Sequence, residues 1–116
     1  MSAYIYYREQ GFSPVHKFKD ISNGGVNVVV WQPTASLRLA VTNLIIASNL
    51  GGTIAFYFGG TNNAKKIAEF TVPGSSTITP TISSWQSTGL AAPLYVVTSQ
   101  SGTNGWSVEA DGFELE

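Results

Sequence analysis

Short runs of alternating apolar and polar residues recur along this chain of 116 residues, separated about every 8 to 12 residues by turns rich in Gly, Pro and Asn. No stretch has the sustained i, i+3, i+4, i+7 apolar spacing of an amphipathic helix. The pattern predicts an all-β fold: an antiparallel two-sheet sandwich, jelly-roll-like, with about eight strands. We expect a single domain in which residues 1–22 form an N-terminal strand or arm and residues 23–116 form the sandwich.

The stretch LRLAVTNLIIASNLGGTIAFYFGG, residues 37–60, is the most apolar part of the chain. The residues NLGG at 49–52 predict a hairpin turn, which would pair 37–48 with 53–60 at the centre of a sheet. In the first of these strands one face carries Leu37, Leu39, Val41 and Ile45, and the opposite face carries Ala40, Leu44 and Ile46.

A second apolar face on one strand needs cover, because removing a large apolar side chain from water stabilises by about 1.5 to 3 kcal/mol. A twisted sandwich can cover both faces of a central strand in part. Another copy of the chain is the simplest cover for the rest. Ala40, Leu44 and Ile46 are therefore predicted to contact a partner subunit.

Aromatic residues crowd the N-terminal stretch AYIYYREQGF, as Tyr4, Tyr6, Tyr7 and Phe12. Tyr4 and Tyr6 share one face of an extended strand, so the stretch can complete the sandwich. It can also extend onto a neighbouring protein by strand addition, which makes all four residues candidate interface residues. The sequence leaves both alternatives open.

Two further aromatic residues are predicted to point away from the core. Strand parity places Trp85 on the face of Thr79, Thr81 and Ser83, and it places Tyr57 opposite Phe56 and Phe58. An exposed Trp or Tyr on a sheet can stack on a sugar ring, so this pair is the candidate platform of a carbohydrate-binding module. The alternative, which we favour, is packing against a neighbouring loop or subunit.

Composition excludes several classes of function. A net charge of −1 with scattered cations argues against nucleic-acid binding, and no apolar run reaches the ~20 residues that cross a bilayer. The absence of cysteine removes disulfides and thiolate chemistry. The first ten residues lack the pattern of a secretory signal, so we expect synthesis in the cytoplasm without a cleaved leader.

Catalytic signals are sparse. The single histidine, His16, would need an acid such as Asp20 and a serine nucleophile, and no G-x-S-x-G pattern occurs. Acidic residues cluster near the C-terminus and could form a calcium-binding loop: Glu109, Asp111, Glu114 and Glu116. We favour a solvated strand face instead, because Glu109 and Asp111 are predicted to be outward residues of a strand. We therefore expect no enzyme, no catalytic residue, no metal site and no cofactor.

The segments VTNLIIASNLGGTIAFYFGG and GLAAPLYVVTSQSGTNGWSVEADGFEL together resemble the small all-β structural proteins of tailed bacteriophages, several of which are capsid decoration, or cement, proteins. The resemblance covers residues 24–115 and is a pattern of strands and turns. It implies a trimer or similar assembly on a virion, with the phage head favoured and the major capsid protein or another virion protein as partner. It implies no catalytic residue.

Three functional hypotheses follow. The first is a non-enzymatic virion protein that stabilises the phage head by protein contacts. The second is a carbohydrate-binding or adhesion module of a tail or fibre, acting through Trp85 and Tyr57. The third is a small enzyme built around His16.

Overall fold

A computed structural model of the chain describes residues 10–23, 27–60, 62–82, 84–87, 89–99 and 103–115. Nine strands and one short 3₁₀ turn occur in this part of the chain. The strands are β1 Val15–Asn23, β2 Val28–Trp31, β3 Arg38–Ser48, β4 Gly52–Phe58, β5 Lys66–Val72, β6 Ser76–Ile78, β7 Trp85–Gln86, β8 Leu94–Thr98 and β9 Thr103–Leu115, with the 3₁₀ turn at Asn63–Lys65.

The strands form two antiparallel sheets. Sheet A has the order β1-β9-β3-β6, with β7 also paired to β3, and sheet B has the order β2-β8-β4-β5. The first strand pairs with the last, β2 with β8, and β3 with β6 and β7, so the chain is a long antiparallel ribbon wound into two layers. This is the connectivity of a jelly roll. It confirms the predicted all-β, two-sheet sandwich.

The predicted hairpin between β3 and β4 is wrong, because the two strands lie in different sheets. The loop between them carries the chain from sheet A to sheet B and packs on a second turn, where the Ser75 amide donates to the Asn49 carbonyl over 2.8 Å. Gly51 has φ +80°, and a Cβ there would lie 2.6 Å from the Gly74 amide nitrogen. The glycines are therefore needed for a corner between layers and not for a tight hairpin.

The core lies between the two sheets. Its largest fully buried side chains come from both layers, and they include Trp106, Leu44 and Ile46 from sheet A with Trp31, Phe56 and Leu94 from sheet B. Phe70 and Trp85 are half-buried and pack against this cluster.

A β-bulge explains why β3 looks apolar on both faces. Val41 pairs with Gly112 and Asn43 pairs with Asp111, so Thr42 is an extra residue in β3 that has no partner of its own in β9. An extra residue shifts the alternation of side chains by one. Leu39 and Val41 therefore face the core before the bulge, and Leu44 and Ile46 face it afterwards.

The predicted partner contacts at Leu44 and Ile46 are wrong for this reason, since both side chains are fully buried in the core of their own chain. Ala40 does lie in a separate apolar cluster, with Phe113 and Leu115 of β9. Ala40 is also fully buried within the chain, and Phe12 packs against its cluster. Ala40 is therefore no more available to a partner than Leu44 or Ile46.

The N-terminal segment is part of the sandwich from Val15 onward, where β1 begins and pairs with β9. The predicted boundary between residues 22 and 23 falls inside this strand.

A carboxylate in β9 connects the two sheets at one end. Glu114 Oε2 accepts a hydrogen bond of 3.0 Å from the Trp31 indole of β2, and Oε1 accepts one of 2.9 Å from the Thr34 amide. Burial raises the pKa of Glu114, but the hydrogen bonds from Trp31 and Thr34 and the charge of Lys17 outweigh it, so the net shift of this pKa is downward.

We expect Glu114→Gln to lower the free energy of unfolding by about 1 to 2 kcal/mol at neutral pH, because a charge-assisted acceptor is lost. A lowered folded-state pKa stabilises above the unfolded value and stops doing so as the pH falls through it. The difference between wild type and variant in urea denaturation should therefore shrink in acid. Glu69→Gln, which removes only an exposed pair with Lys66, is the control. An equal effect of both variants would contradict the prediction.

Gly112 lies opposite the bulge, where β3 and β9 approach closely. A Cβ at this position would lie 1.9 Å from the Ala40 carbonyl oxygen, a backbone atom that cannot rotate away. We expect Gly112→Ala to destabilise the fold by about 3 kcal/mol, measured by urea denaturation. Gly89→Ala is the matched control, because its nearest neighbour would be the Ala92 Cβ at 3.8 Å. A stability loss no larger than that of the control would show that the close approach is wrong.

Candidate functional site

The outer face of sheet A carries most of the chain's polar chemistry. Register places His16 of β1, Asp111 of β9 and Asn43 of β3 side by side in one row. The next row, two residues along each strand, holds Phe18, Glu109 and Ile45. Residues from the two ends of the sequence meet here because β1 pairs with β9.

His16 lies between two carboxylates. Its Nδ1 is hydrogen-bonded to Oδ1 of Asp111, and its Nε2 lies 3.5 Å from Oε1 of Glu109. Asn43 Nδ2 donates to the other carboxylate oxygen of Asp111 over 3.3 Å. The Thr42 hydroxyl, at the bulge, donates to the Asp111 carbonyl over 3.2 Å. These contacts hold Asp111 from both neighbouring strands.

The pKa of His16 is raised above its ordinary value of 6.5. The main cause is the hydrogen bond to Asp111, followed by the charge of Asp111, and the charge of Glu109 adds to both. The loss of solvent around the ring lowers the pKa of His16, but by less than the two carboxylates raise it. The imidazolium form is therefore the stable one over a wider pH range than for a free histidine.

An open cavity of about 530 Å³ lies beside this row and is lined by Pro14, Val15, His16, Thr42, Asn43 and Asp111. The cavity lies at the bulge, because Thr42, the extra residue of β3, is one of its lining residues. The site thus combines a concavity, a charged donor, a carboxylate and an amide on one face of a sheet.

The arrangement does not match a nucleophile activated by a histidine, in which one ring nitrogen faces a hydroxyl or thiol. In the described part of the chain both nitrogens of His16 face carboxylates. Within the same residues no group of three or more His, Cys, Asp and Glu side chains is placed to hold a metal ion. The described helical turn is far too short to span a membrane.

The predicted carbohydrate platform is wrong. Trp85 packs into the core, with its ring centroid 5.4 Å from that of Phe56 and 6.1 Å from that of Phe70. The strand stops at Ile78 and resumes at Trp85, so parity counted across Pro80 does not apply. Tyr57 is on the outer face of sheet B as predicted, between the register positions of Tyr95 and Lys66, but only 6% of it is exposed.

The N-terminal aromatic residues Tyr4, Tyr6 and Tyr7 lie outside the described residues. Their role as partner contacts stays a prediction. Phe12 is described, and it packs against the cluster of Ala40, Phe113 and Leu115 on the outer face of sheet A.

Sequence reasoning missed the His16 site. The outward direction of Glu109 and Asp111 was predicted from strand parity, and it is observed. The missing information was the pairing of β1 with β9, which joins residues 95 positions apart.

Comparison with known proteins adds to the evidence on the fold. No protein-family model matches the chain, and no curated protein matches it. Among solved structures, the chain is similar to one in a study titled "Bacillus endospore appendages form a novel family of disulfide-linked pili", with a TM-score of 0.53, 12% identity, and coverage of 90% of this chain and 89% of that one. A crystal structure of PirA has a TM-score of 0.45 at 12% identity, covering 83% of this chain and 92% of that one, which is too distant to support an argument.

The likeness to the appendage chain confirms a small all-β fold. At 12% identity it extends no further than the fold. The resemblance to capsid decoration proteins stays a prediction.

We expect the raised pKa of His16 to make stability depend on pH. A raised folded-state pKa stabilises below the unfolded value, near 6.5, and this contribution is lost as the pH rises through the folded value. Wild type should therefore exceed His16→Gln in stability in acid, and the difference should shrink toward alkaline pH in urea denaturation. Because the chain has one histidine, an NMR titration reads its pKa directly. A midpoint at or below 6.5 would contradict the assignment.

Proposed function

We propose that this protein is a non-enzymatic structural subunit, which acts by binding copies of itself and neighbouring subunits in a repeated protein assembly. The single observation that carries this proposal is the likeness to an appendage chain, since it extends over 90% of this chain and 89% of the other. That neighbour comes from work on disulfide-linked pili. This chain has no cysteine, so its own contacts would be non-covalent.

Within this class we favour a virion protein of a tailed bacteriophage, with the head as its location and capsid decoration as its role. Its partners would be the major capsid protein or another virion protein, and its oligomer a trimer. The support is the sequence resemblance carried by residues 24–115.

A pilus-like appendage subunit is the second candidate, and the structural likeness favours it. The two candidates differ in symmetry. A decoration protein forms a closed oligomer, whereas an appendage subunit forms head-to-tail contacts that do not close and so give a filament.

The outer face of sheet B is the surface we propose for contact with a second copy. One row of this face holds Val29, Tyr95 and Tyr57, and the next holds Val97 and Ala55. Val29 is 37% exposed, and Tyr95 and Val97 are half-buried. Aromatic residues with few charges are typical of the centre of an interface.

Charged groups lie at the rim of this face. Lys66 and Glu69 form an ion pair of 3.2 Å beside Tyr57 and Ala55. A polar rim around an apolar centre is the usual anatomy of a protein interface. The outer face of sheet A differs, since it carries the charged side chains of His16, Asp111 and Glu109.

The N-terminal residues Tyr4, Tyr6 and Tyr7 are a second proposed contact. The support is the sequence, because the aromatic stretch that precedes β1 suits strand addition to a neighbour.

We expect the wild type to assemble in solution and Val29→Glu to remain monomeric, because an unpaired carboxylate buried in an apolar interface is costly. Size-exclusion chromatography with light scattering gives the mass, and negative-stain imaging distinguishes closed trimers from filaments. Thr77→Glu is the matched control, since Thr77 is exposed and lies in β6 of the other sheet.

A wild type that stays monomeric at its highest soluble concentration would overturn the assembly proposal. Equal assembly by wild type, Val29→Glu and Thr77→Glu would leave assembly in place but overturn the choice of the sheet B face. Unchanged thermal unfolding of the variants shows that the fold is retained.

A further inference from the structure

We propose that the cavity on the outer face of sheet A binds a neutral carbohydrate, with Asn43 and Asp111 as the polar contacts and Phe18, in the next row beside the cavity, as the apolar platform. This site is independent of the assembly role, because it lies on the opposite layer from the proposed contact face.

The shape of the site suits a small polar ligand. Its volume of about 530 Å³ lies within the usual range for ligand pockets. The cavity owes its position to the bulge, because Thr42 lines it and is the residue that β9 leaves unpaired. Backbone pairing on both sides of the bulge makes this concavity part of the fold.

The polar groups offer what a sugar's neighbouring hydroxyls need. Each hydroxyl both donates and accepts, so a pair of them fits best against a donor and an acceptor placed side by side. The row provides a carboxylate acceptor at Asp111 and an amide at Asn43 that can both donate and accept. His16 acts only indirectly, because both of its ring nitrogens already face carboxylates.

These groups are also held in place before any ligand arrives. Asp111 is fixed by His16 on one oxygen and by Asn43 on the other, at 3.3 Å, and each carboxylate oxygen keeps a further lone pair for a ligand. Orientation fixed in advance reduces the entropy cost of binding.

An exposed aromatic ring stands next to the polar row. Phe18 is 53% exposed and follows His16 by two residues on the same face of β1, which puts their backbones about 7 Å apart. That spacing lets one sugar ring cover Phe18 with its C–H face while its hydroxyls reach the polar row. Pro14 and Val15 extend the apolar side of the cavity.

Charge selects the class of sugar. The residues lining the cavity include no lysine and no arginine, and the one cation, the imidazolium of His16, is outnumbered by the carboxylates of Asp111 and Glu109. Acidic sugars, phosphates and nucleic acids would be repelled, so the fitting ligand is a neutral saccharide.

The test is an NMR titration of the full-length protein with neutral trisaccharides of β-1,4-linked glucose, β-1,4-linked N-acetylglucosamine and α-1,4-linked glucose, and with 3′-sialyllactose as the anionic probe. We expect at least one neutral trisaccharide to shift the signals of His16, Phe18 and Asn43, with a Kd of about 1 mM or lower. Sialyllactose should leave these signals unchanged.

Variants make the assignment specific. Phe18→Ala and Asn43→Ala should each raise the Kd about tenfold. Asn43→Ala removes a hydrogen bond to the sugar, and Phe18→Ala removes the apolar surface on which its ring packs. Both residues are exposed, so the fold should persist, and an unchanged spectrum away from the site verifies this. Thr77→Ala, an exposed position on β6, should bind like wild type.

Three results would overturn the proposal: no shift with any neutral trisaccharide, binding whose shifts lie elsewhere on the surface, or equal shifts with calcium chloride alone. None of these results bears on the assembly proposal, which is read from the mass of the particle. Loss of assembly in Val29→Glu with sugar binding retained would support both proposals.

Discussion

A single extra residue in β3, Thr42 beside the pairing of Val41 with Gly112, determines which side chains enter the core. It shifts the alternation so that Leu39 and Val41 on one side and Leu44 and Ile46 on the other all face sheet B. The strand next to it must tolerate the close approach, which only a glycine at position 112 allows. The same distortion lies beside the cavity on the outer face. Packing and the candidate site thus depend on one local irregularity in the β3–β9 ladder.

The pairing of the first strand with the last has a chemical consequence. It places His16 against Asp111 and Glu109, and the three groups stabilise one another as a cation between two anions. The raised pKa of His16 follows from this contact. Because β1 is an edge strand of sheet A, the contact also joins an edge to the strand beside it. Protonation of one side chain is therefore linked to how firmly the N-terminal strand is held.

The two outer faces differ in chemistry, and the proposals follow this difference. Sheet B presents Val29, Tyr95 and Val97, which suit a protein surface that is hidden on assembly. Sheet A presents a fixed carboxylate, an amide and an exposed Phe18 beside a concavity, which suits a small hydroxylated ligand. Assembly through one layer and ligand binding on the other are both binding functions, and neither requires catalysis. Both roles depend on rigid strands.

Local pattern was enough to determine an all-β chain and the outward direction of Glu109 and Asp111, because alternation along a strand depends only on neighbouring residues. It could not determine what depends on pairing. The turn sequence at residues 49–52 is compatible both with a hairpin inside one sheet and with a crossing to the other sheet. The bulge at Thr42 made Leu44 and Ile46 look like a second face, and the break after Ile78 reversed the predicted direction of Trp85. The contact of His16 with Asp111 exists only because strands at opposite ends of the chain pair, and that pairing is decided by the packing of the whole sandwich.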